Sequence, residues 1–369
     1  MKFTINREAL LNPLQLVAGV VERRQILPVL SNVLMVVEGG QLSLTGTDLE
    51  VELVGRVALE DVLEEGGITV PARKLMDICK SLPANAQIEF AVDDQKVRLK
   101  TGRSRFVLSS LPANKFPSID EESGSLAFTV SQSRLRRLID RTGFAMAHQD
   151  VRYYFNGMLL EVSQSCLRSV ATDGHRLAMC SVEADISQQD KYQVIVPRKG
   201  ILEIARLLKE GEEEVVCITL GANHIRAKTG DFIFTSKLID GKFPDYDHAF
   251  SRGNNVVICD RQELRQAFQR ASSILLNEKY RGVRLILSEG LLKVIAKNSE
   301  QEKAEEEISV SYQGEEIEVK FNVNYLLDVL SVLSGSEVRI ILHNNKSSVL
   351  LEENSNDGDS RYVVMPMTL

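Results

Sequence analysis

One local pattern occurs three times in this chain of 369 residues, at a period of about 125 residues. Each copy has a short strand, a polar helix cap and an apolar helical period, and the copies occupy residues 3–10, 128–135 and 257–264. The caps are Asn6, Ser131 and Asp260, whose side-chain oxygens can accept a free N–H of the first helical turn. The period is that of a whole domain, because solenoid repeats span only about 20–45 residues.

Three further sets of segments repeat at the same spacing. Residues 70–75 resemble residues 196–201, with a weaker copy at 321–326, and the Lys-Phe-Pro at 115–117 returns at 242–244. Asp48, Asp173 and Asn298 follow one another at intervals of 125 residues. Between the helices, segments such as 42–45 alternate as strands do. We therefore predict an α+β fold of three tandem two-helix, multi-strand domains, at residues 1–124, 125–253 and 254–369.

The charge of the chain is unevenly distributed. With 44 Lys and Arg against 51 Asp and Glu, the net charge of −7 excludes a uniformly basic nucleic-acid binder. Yet the predicted helices hold ten more positive than negative charges, which leaves −17 elsewhere. Such a bias favours one basic helical surface facing an anionic partner such as DNA. The alternative is that each helix face is merely charged and solvated. The six helices are predicted at residues 6–24, 70–81, 131–142, 197–209, 261–270 and 322–334.

Several classes of protein do not fit the sequence. No apolar run approaches the roughly 20 residues of a membrane span, and the N-terminus lacks the apolar stretch of a signal peptide. Five cysteines without a CxxC pair indicate reduced thiols in a cytoplasmic protein. The five histidines lack the spacing of a metal site, so we expect neither a metal nor a cofactor.

An enzyme is the second class to weigh. Asp173 and His175, with Arg176, have the chemistry for acid–base catalysis. However, the repeat places Asp48 and Asn298 at the position of Asp173, which favours a structural role, and no Walker A, GxGxxG or GxSxG motif occurs. We expect a non-catalytic protein without catalytic residues. A structural scaffold that does not bind DNA stays open as a third class.

Seven segments, in order along the whole chain, carry a specific resemblance: residues 44–50, 102–106, 147–154, 171–177, 230–237, 277–284 and 362–367. They resemble the bacterial sliding clamps, the beta subunit of DNA polymerase III. The resemblance implies a head-to-tail homodimer that forms a pseudo-sixfold ring with helices inside and sheets outside. Such a ring encircles duplex DNA and tethers the replicative polymerase for processivity. The implied protein partners are the polymerase III alpha subunit, the clamp loader delta subunit, and other polymerases and repair proteins that carry clamp-binding motifs.

Domain size supports a ring of six domains. A domain of this length has a radius of gyration of about 14 Å, so as a sphere it is about 35 Å across. Six touching spheres leave a hole of about 35 Å, whereas four leave about 14 Å. A duplex is roughly 20 Å across, judged from its groove depths. Because one chain supplies three domains, two chains are needed to admit DNA.

The resemblance also assigns residues to three surfaces. The residues that match family positions in contact with DNA are Arg24, Arg73, Gln149, Tyr153 and Tyr154. A hydrophobic groove between the second and third domains, here called the partner groove, is lined by Phe155, Thr172, Gly174, His175, Arg176, Leu177, Pro244, Val363, Met365, Pro366 and Met367. The dimer interface joins Lys74, Arg103, Arg105, Phe106 and Leu108 of one chain to Ile274, Leu275, Glu300 and Glu302 of the other.

Each assignment has a plainer alternative. Tyr153 and Tyr154 would pack locally on a strand edge, residues 363–367 would be a final core strand, and residues 300–307 would be a solvated acidic loop. The chain also departs from the better-known family members around the groove. Asp247 and His248 stand where those members tend to have basic residues, and Lys346 and Thr368 replace an apolar residue and an arginine.

Overall fold

The computed structural model describes residues 1–21, 27–119, 126–186, 191–209, 214–250, 253–344, 346–354 and 360–367. These residues form six α-helices and 26 β-strands. The helices are α1 (Arg7–Val20), α2 (Ala72–Ser81), α3 (Gln132–Thr142), α4 (Arg198–Leu207), α5 (Arg261–Ser272) and α6 (Val323–Val332).

The strands fall into the three repeats. The first holds β1 (Lys2–Asn6), β2 (Asn32–Glu38), β3 (Gln41–Thr47), β4 (Val51–Ala58), β5 (Asp61–Glu64), β6 (Gly66–Pro71), β7 (Gln87–Asp93), β8 (Lys96–Thr101), β9 (Ser104–Ser109) and β10 (Leu111–Pro112). The second holds β11 (Leu126–Ser131), β12 (Gly157–Ser163), β13 (Cys166–Thr172), β14 (Arg176–Glu183), β15 (Tyr192–Pro197), β16 (Val215–Leu220), β17 (His224–Thr229) and β18 (Phe232–Lys237). The third holds β19 (Asn255–Asp260), β20 (Gly282–Ser288), β21 (Leu291–Lys297), β22 (Lys303–Ser309), β23 (Ile317–Asn322), β24 (Glu337–Leu342), β25 (Val349–Glu353) and β26 (Ser360–Val364).

The helices begin where the caps predict, and three of the six, α1, α4 and α6, end earlier than expected. The side chain of Asn6 accepts the N–H of Glu8, and that of Asp260 accepts the N–H of Glu263. The prediction that the first helix reaches Arg24 is wrong, because α1 ends at Val20 and Val21 is already extended. A β-branched pair at this point disfavours helix and favours the extended backbone that follows. Arg24 itself lies outside the described residues.

The chain divides into two compact units, and the middle repeat is split between them. The first unit comprises residues 1–133 and 199–238, and the second comprises residues 134–198 and 239–369. The first contains a five-stranded sheet of order β5-β1-β7-β8-β9 and a nine-stranded sheet of order β10-β6-β2-β3-β4-β18-β17-β16-β11. The second contains an eight-stranded sheet of order β15-β12-β13-β14-β26-β25-β24-β19 and a four-stranded sheet of order β22-β21-β20-β23.

Two sheets cross from one repeat to the next through the same kind of strand pair. In what we call the first joint, β4 pairs antiparallel with β18, with Thr235 opposite Glu52. In the second joint, β14 pairs antiparallel with β26, with Val363 opposite Leu177. Each joint therefore merges a sheet of one repeat with a sheet of the following repeat, so the sequence repeats are not the compact units of the fold.

In the first and third repeats, one strand equivalent to a joint-forming strand has no partner on one of its edges among the described residues. Strand β9 corresponds to β18, and β22 corresponds to β4 and β14. Among the described residues, β9 pairs only with β8 and β22 only with β21. An unpaired strand edge presents a row of free backbone donors and acceptors. These two open edges therefore belong to the strands whose counterparts form the first and second joints.

The cysteines and the helices agree with the sequence analysis. All five cysteines are free thiols. Burial raises the pKa of Cys79 to about 11 and that of Cys259 to about 12, which keeps both thiols protonated at neutral pH. No helix among the described residues is long and apolar enough to cross a membrane.

Candidate functional sites

The partner groove is built on an apolar cluster in the second unit. Phe155, Leu177 and Val363 are buried, together with Phe243 and Tyr246. The Phe155 and Phe243 rings meet edge to face at 6.1 Å, and the Phe243 and Tyr246 rings do so at 6.5 Å. Because β14 and β26 are neighbours in one sheet, Leu177 and Val363 lie directly opposite each other in this cluster. The three predicted lining residues Phe155, Leu177 and Val363 thus lie together in one buried apolar cluster.

One wall is the tight turn between β13 and β14. The hydroxyl of Thr172 donates to the Arg176 carbonyl at 2.6 Å and accepts the Gly174 N–H at 3.0 Å. The Asp173 carboxylate accepts the N–H groups of His175 and Arg176. Gly174 has φ +86°, a left-handed conformation that suits glycine. A Cβ at Gly174 would lie 2.7 Å from the Arg152 guanidinium, so this turn needs glycine for two reasons.

Asp173 has the structural role that the repeat predicts. In the first repeat the carboxylate of Asp48 accepts the N–H groups of Glu50 and Val51. In the third, the side-chain oxygen of Asn298 accepts the N–H of Glu302. All three residues therefore hold the same kind of turn. This common function accounts for the Asp-x-His pattern without acid–base chemistry.

The Arg176 side chain links the two repeats that meet at the second joint. Its guanidinium forms an ion pair with Asp173 at 3.2 Å and a second one with Asp328 on α6. It also donates to the Phe144 carbonyl at 2.8 Å and lies over the Tyr325 ring at 4.7 Å. With these contacts, the side chain connects two repeats. Arg176 was predicted to line the groove. In the structure it is half-buried, and its contacts hold the turn on which Gly174 and His175 are exposed.

A buried carboxylate anchors the other wall. The hydroxyl of Tyr246 donates to Glu161 at 2.7 Å, and Lys191 forms an ion pair with the same carboxylate at 2.7 Å. Burial acts to raise the pKa of Glu161, but the hydrogen bonds from Lys191, Tyr246 and Gln193 outweigh it and lower that pKa. Because Glu161 stays charged, it remains an acceptor for Tyr246 and fixes the segment that begins at Pro244.

The last described residues close the groove. Strand β26 ends at Val364, and the Met365 N–H then donates to the His175 carbonyl at 2.8 Å. The Met367 N–H donates to the Lys320 carbonyl at 2.7 Å. Met365 is exposed, and Pro366 and Met367 are half-buried. The plainer alternative of a core strand therefore holds for Val363 and Val364 only, and the three residues after them line the surface.

The residues that depart from the better-known family members also lie at or near this surface. Asp247 and His248 are exposed in the 3-10 turn Asp247–Phe250, and His248 Nε2 lies 3.3 Å from Asp245. Lys346 is exposed between β24 and β25, and Thr368 lies outside the described residues. The sequence analysis missed Arg152, which lies over the Phe155 ring at 4.6 Å and donates to the Asp173 carbonyl. The Tyr246–Glu161 anchor was also missed, because a pair 85 residues apart leaves no local pattern.

The predicted DNA-facing residues occupy helix and loop surfaces. Arg73 is exposed on the first turn of α2, and Gln149 is exposed on a loop with φ +57°. Tyr153 and Tyr154 form the 3-10 turn Tyr153–Phe155, so the alternative of a strand edge is wrong. Their rings pack edge to face at 5.6 Å, and Tyr153 is 55% exposed. Arg24 cannot be placed, since it is outside the described residues.

Several of the positive charges counted on the helices already form ion pairs within the chain. Arg141 is paired with Glu353 at 2.8 Å and is buried, and Arg270 is paired with Glu306. Lys199 pairs with Asp48. Many of the predicted cations thus serve internal contacts. Exposed cations with no ion pair to any described residue remain on α2, where they are Arg73, Lys74 and Lys80.

Six of the nine predicted interface residues lie on β9 or just before β9 and β22, whereas Lys74 is on α2, and Ile274 and Leu275 are in the 3-10 turn after α5. Arg105 and Phe106 are on β9, Arg103 precedes them, and Leu108 is buried on the same strand. Glu300 and Glu302 are exposed just before β22. Residues 303–309 form β22, so the alternative of a solvated loop is wrong there.

Leu275 does not face outward as its assignment to the interface expects. Its side chain is 1% exposed and packs inside the chain, because the 3-10 turn Ser273–Leu275 rotates it towards the core. Ile274 is half-buried beside it, and Leu276 is 65% exposed. Leu276 is therefore the exposed apolar side chain at this turn.

Three family models cover nearly the whole chain. The N-terminal domain of the DNA polymerase III beta subunit matches residues 1–120, its central domain residues 129–245 and its C-terminal domain residues 251–368. The chain belongs to the DNA polymerase III beta subunit family, the beta sliding clamps. The α+β tandem-domain fold and the family resemblance are thereby confirmed. The exact domain boundaries stay predictions, because they fall at or beside residues outside the described ranges.

Relatives and solved structures agree over the full length. The beta sliding clamp of Pseudomonas aeruginosa is 68% identical over 370 residues, and that of Escherichia coli K12 is 51% identical over 372, each with complete coverage of both chains. A crystal structure of the P. aeruginosa beta subunit superposes with a TM-score of 0.97 at 67% identity, again over all of both chains. Another P. aeruginosa clamp structure, bound to griselimycin, gives a TM-score of 0.96 at 67% identity.

Proposed function

We propose that the chain acts as a DNA sliding clamp, a non-catalytic processivity subunit of DNA polymerase III. Two copies close head to tail into a ring around duplex DNA in the cytoplasm. The ring holds DNA by topology, so weak phosphate contacts suffice and no base needs to be read. The polymerase alpha subunit, the clamp loader delta subunit, and other polymerases and repair proteins bind the partner groove through short motifs.

The observation that carries this proposal is the repeated strand joint. Two joints are made within the chain, and β9 and β22 are the open halves of a third. A second copy supplies the missing half at each end, which is the head-to-tail arrangement of a closed ring. Three repeats per chain and a duplex of roughly 20 Å then favour two chains over one.

The two internal joints also set the register of the proposed subunit joint. Phe234 of β18 lies opposite Leu53, and Tyr362 of β26 lies opposite Ala178. Counting along the equivalent strands places Phe106 opposite Ala304 of the other copy and Arg105 opposite Glu305. Phe234 and Tyr362 are both fully buried, whereas Phe106 is half-buried. Pairing would therefore bury an aromatic ring that the single chain leaves partly exposed, beside a pair of opposite charges.

A lysine on the second helix strengthens the same joint. At the first joint, Lys199 of α4 pairs with Asp48 in the turn before β4. Arg73 occupies the position of Lys199, 126 residues earlier, and Lys74 is the next residue; neither has an ion pair with any described residue. The equivalent turn before β22 carries Glu300 and Glu302. A cation on the first turn of α2 would meet these carboxylates on the other copy, and Lys74 is the one assigned to the interface.

The subunit joint can be tested by charge exchange. We expect Arg105→Glu and Glu305→Arg each to weaken the dimer, and the two together to restore part of it, measured by sedimentation over a dilution series. Phe106→Ala should weaken the dimer by about 2 kcal/mol or more, because it removes a central aromatic anchor. The matched control is Val215→Ala, a truncation of an exposed apolar residue away from both open edges. Dimers of unchanged stability in the three single variants, Arg105→Glu, Glu305→Arg and Phe106→Ala, would refute the proposed subunit joint.

DNA enclosure needs its own experiment. Clamps loaded onto a closed circular plasmid should remain bound in high salt, and cutting the plasmid once should release them. Arg73→Glu should reduce loading, whereas Lys228→Glu makes the same charge change on an exposed strand residue and should not. Equal retention on circular and linear DNA would contradict topological binding.

The groove assignment is tested with a labelled peptide that carries the clamp-binding motif of the polymerase alpha subunit. Met365→Ala should weaken binding about fivefold, since it removes about 1 kcal/mol of apolar contact. Leu202→Ala truncates another exposed apolar side chain, on α4, and should leave peptide affinity unchanged. Equal affinities for all three proteins would place the peptide elsewhere.

A further inference from the structure

The loop after the first helix of each repeat exposes apolar side chains. In the second repeat these are Val151, which is 95% exposed, and Tyr153. In the third repeat they are Leu276 and Tyr280, the latter 64% exposed, and in the first repeat Leu27 is exposed at the same point of the chain. Exposed apolar side chains that recur at equivalent positions mark an interaction surface more strongly than scattered ones do.

One hydrogen bond aligns the loops of the second and third repeats. The N–H of Arg198, the first residue of α4, donates to the Asn156 carbonyl at 2.9 Å. The N–H of Val323, the first residue of α6, donates to the Arg281 carbonyl at 2.9 Å. Residues 276–281 therefore occupy the place in the third repeat that residues 147–156 occupy in the second.

The third-repeat loop is braced by two hydrogen bonds and exposes Lys279 and Tyr280 side by side at its tip. The carboxylate of Glu278 accepts the Ser299 N–H at 2.7 Å, which lowers the pKa of Glu278 and turns its charge towards the neighbouring loop. Arg281 donates to the Leu276 carbonyl at 3.2 Å. Lys279 and Tyr280 are both exposed at the tip, and Lys279 Nζ lies 5.1 Å from the Tyr280 ring centre.

We propose that Lys279 and Tyr280 form a DNA contact of the third repeat. Lys279 would neutralise a backbone phosphate, and the Tyr280 ring would lie against a sugar or an unpaired base. The inference rests on the proposed clamp function and extends it to a repeat to which no DNA contact was assigned. A cation beside an exposed ring matches the two needs of nucleic-acid binding without sequence preference.

The experiment measures the affinity of the full chain for a fluorescent primed-template duplex by anisotropy, over a series of NaCl concentrations. Lys279→Ala should make the slope of log K against log salt shallower by about one unit, the loss of one phosphate contact. Tyr280→Ala should weaken binding by about fivefold or more, because it removes a stacking contact. It should leave the slope unchanged, because tyrosine carries no charge. Lys228→Ala, on a strand of the first unit, should change neither quantity.

The outcomes separate this inference from the clamp proposal. If Arg73→Ala reduces the slope and Lys279→Ala does not, the third-repeat contact is refuted while the clamp function stands. If the wild-type chain shows no salt-dependent binding to this duplex, the third-repeat contact is refuted, while the clamp proposal stands or falls with retention on the circular plasmid. If Lys279→Ala or Tyr280→Ala gives monomers by light scattering, the loop is a subunit contact and the inference is overturned. A shallower slope for Lys279→Ala with an intact dimer supports it.

Discussion

The two internal joints share a backbone and differ in their side chains. At the first joint, Thr235 lies opposite Glu52, and both are buried polar residues. At the second, Val363 lies opposite Leu177 at the same register, and both belong to the apolar cluster beneath the partner groove. Backbone pairing is thus sufficient to join two repeats. The cross-strand side-chain pair decides whether the joint can also present an apolar binding surface.

The ion pairs of the two joints differ in burial. Arg141 and Glu353 meet at 2.8 Å across the second joint, and each side chain is 11% exposed. At the first joint, Lys199 is 35% exposed and the Asp48 side chain that it pairs with is 5% exposed, so only the cation reaches solvent. Removal of a buried cation leaves an uncompensated charge, whereas a partly exposed cation contributes less, and Asp48 keeps the N–H groups of Glu50 and Val51 when Lys199 is lost. The second joint should therefore be far more sensitive to the loss of its cation.

The largest expected effect tests that difference in stability. Arg141→Ala should destabilise the second unit by about 3 kcal/mol or more, and Lys199→Ala should cost less than about 1 kcal/mol. Differential scanning calorimetry of both variants and the wild type would measure the shifts. Equal shifts for the two variants would mean that burial does not distinguish the joints.

The same pair predicts an acid-sensitive second joint. Burial acts to raise the pKa of Glu353, but the Ser334 N–H and Arg141 hold it at about 2. An unfolded glutamate titrates at about 4.3, so the stabilisation is complete above that pH and is lost as pH falls towards 2. Unfolding of wild type followed from pH 6 to pH 2.5 should show this loss. Arg141→Ala should lose less over that range, and an identical pH profile would contradict the assignment.

The side-chain pair of each joint can be exchanged. Val363→Thr gives the second joint the residue of the first at nearly constant volume, and a buried hydroxyl without a partner costs about 1–3 kcal/mol. Affinity for the polymerase motif peptide should fall about tenfold, with an unchanged dimer mass. The reciprocal Glu52→Leu with Thr235→Val should bind no additional peptide, because the first joint lacks the Phe155, Phe243 and Tyr246 rings. Binding of a second peptide per chain by that variant would overturn the comparison.

The Tyr246 anchor should give a moderate effect. Tyr246→Phe removes the hydroxyl that donates to Glu161, while Lys191 and Gln193 still serve that carboxylate. The loss of one hydrogen bond to a charged acceptor corresponds to about 1.5 kcal/mol. Peptide affinity should fall several-fold as the Pro244 segment loosens. Unchanged affinity together with reduced thermal stability would show that the anchor serves folding alone.

The turns before β4 and β14 give the smallest contrast. Leu49 has φ +79° and Gly174 has φ +86°, so the same left-handed position holds a side chain in one joint and none in the other. Leu49→Gly should relieve strain and stabilise the chain by about 0.5 kcal/mol, while Gly174→Ala should cost about 1 kcal/mol and displace Arg152. Denaturant titrations would measure both changes, and effects of the same sign would contradict the equivalence of the turns.

Local features were predictable from the sequence. The caps Asn6 and Asp260, and the turn at each of Asp48, Asp173 and Asn298, depend on residues within a few positions of one another. The ends of the helices were less certain, as the early end of α1 at Val20 illustrates. The burial of Leu275 was not foreseen, because the family resemblance that assigned it to the interface does not show that a 3-10 turn follows the helix.

The sequence by itself determined that this protein is a threefold repeat of an α+β domain with clamp-like segments, because caps, periodicity and motif spacing are local. Only the tertiary structure decided that two sheets pass from one repeat into the next and that β9 and β22 are left open. It alone placed Tyr246 on Glu161 and Arg176 on Asp328. Backbone hydrogen bonds between strands are nearly independent of side-chain identity, and contacts between residues 85 or 152 positions apart leave no periodic trace in the chain.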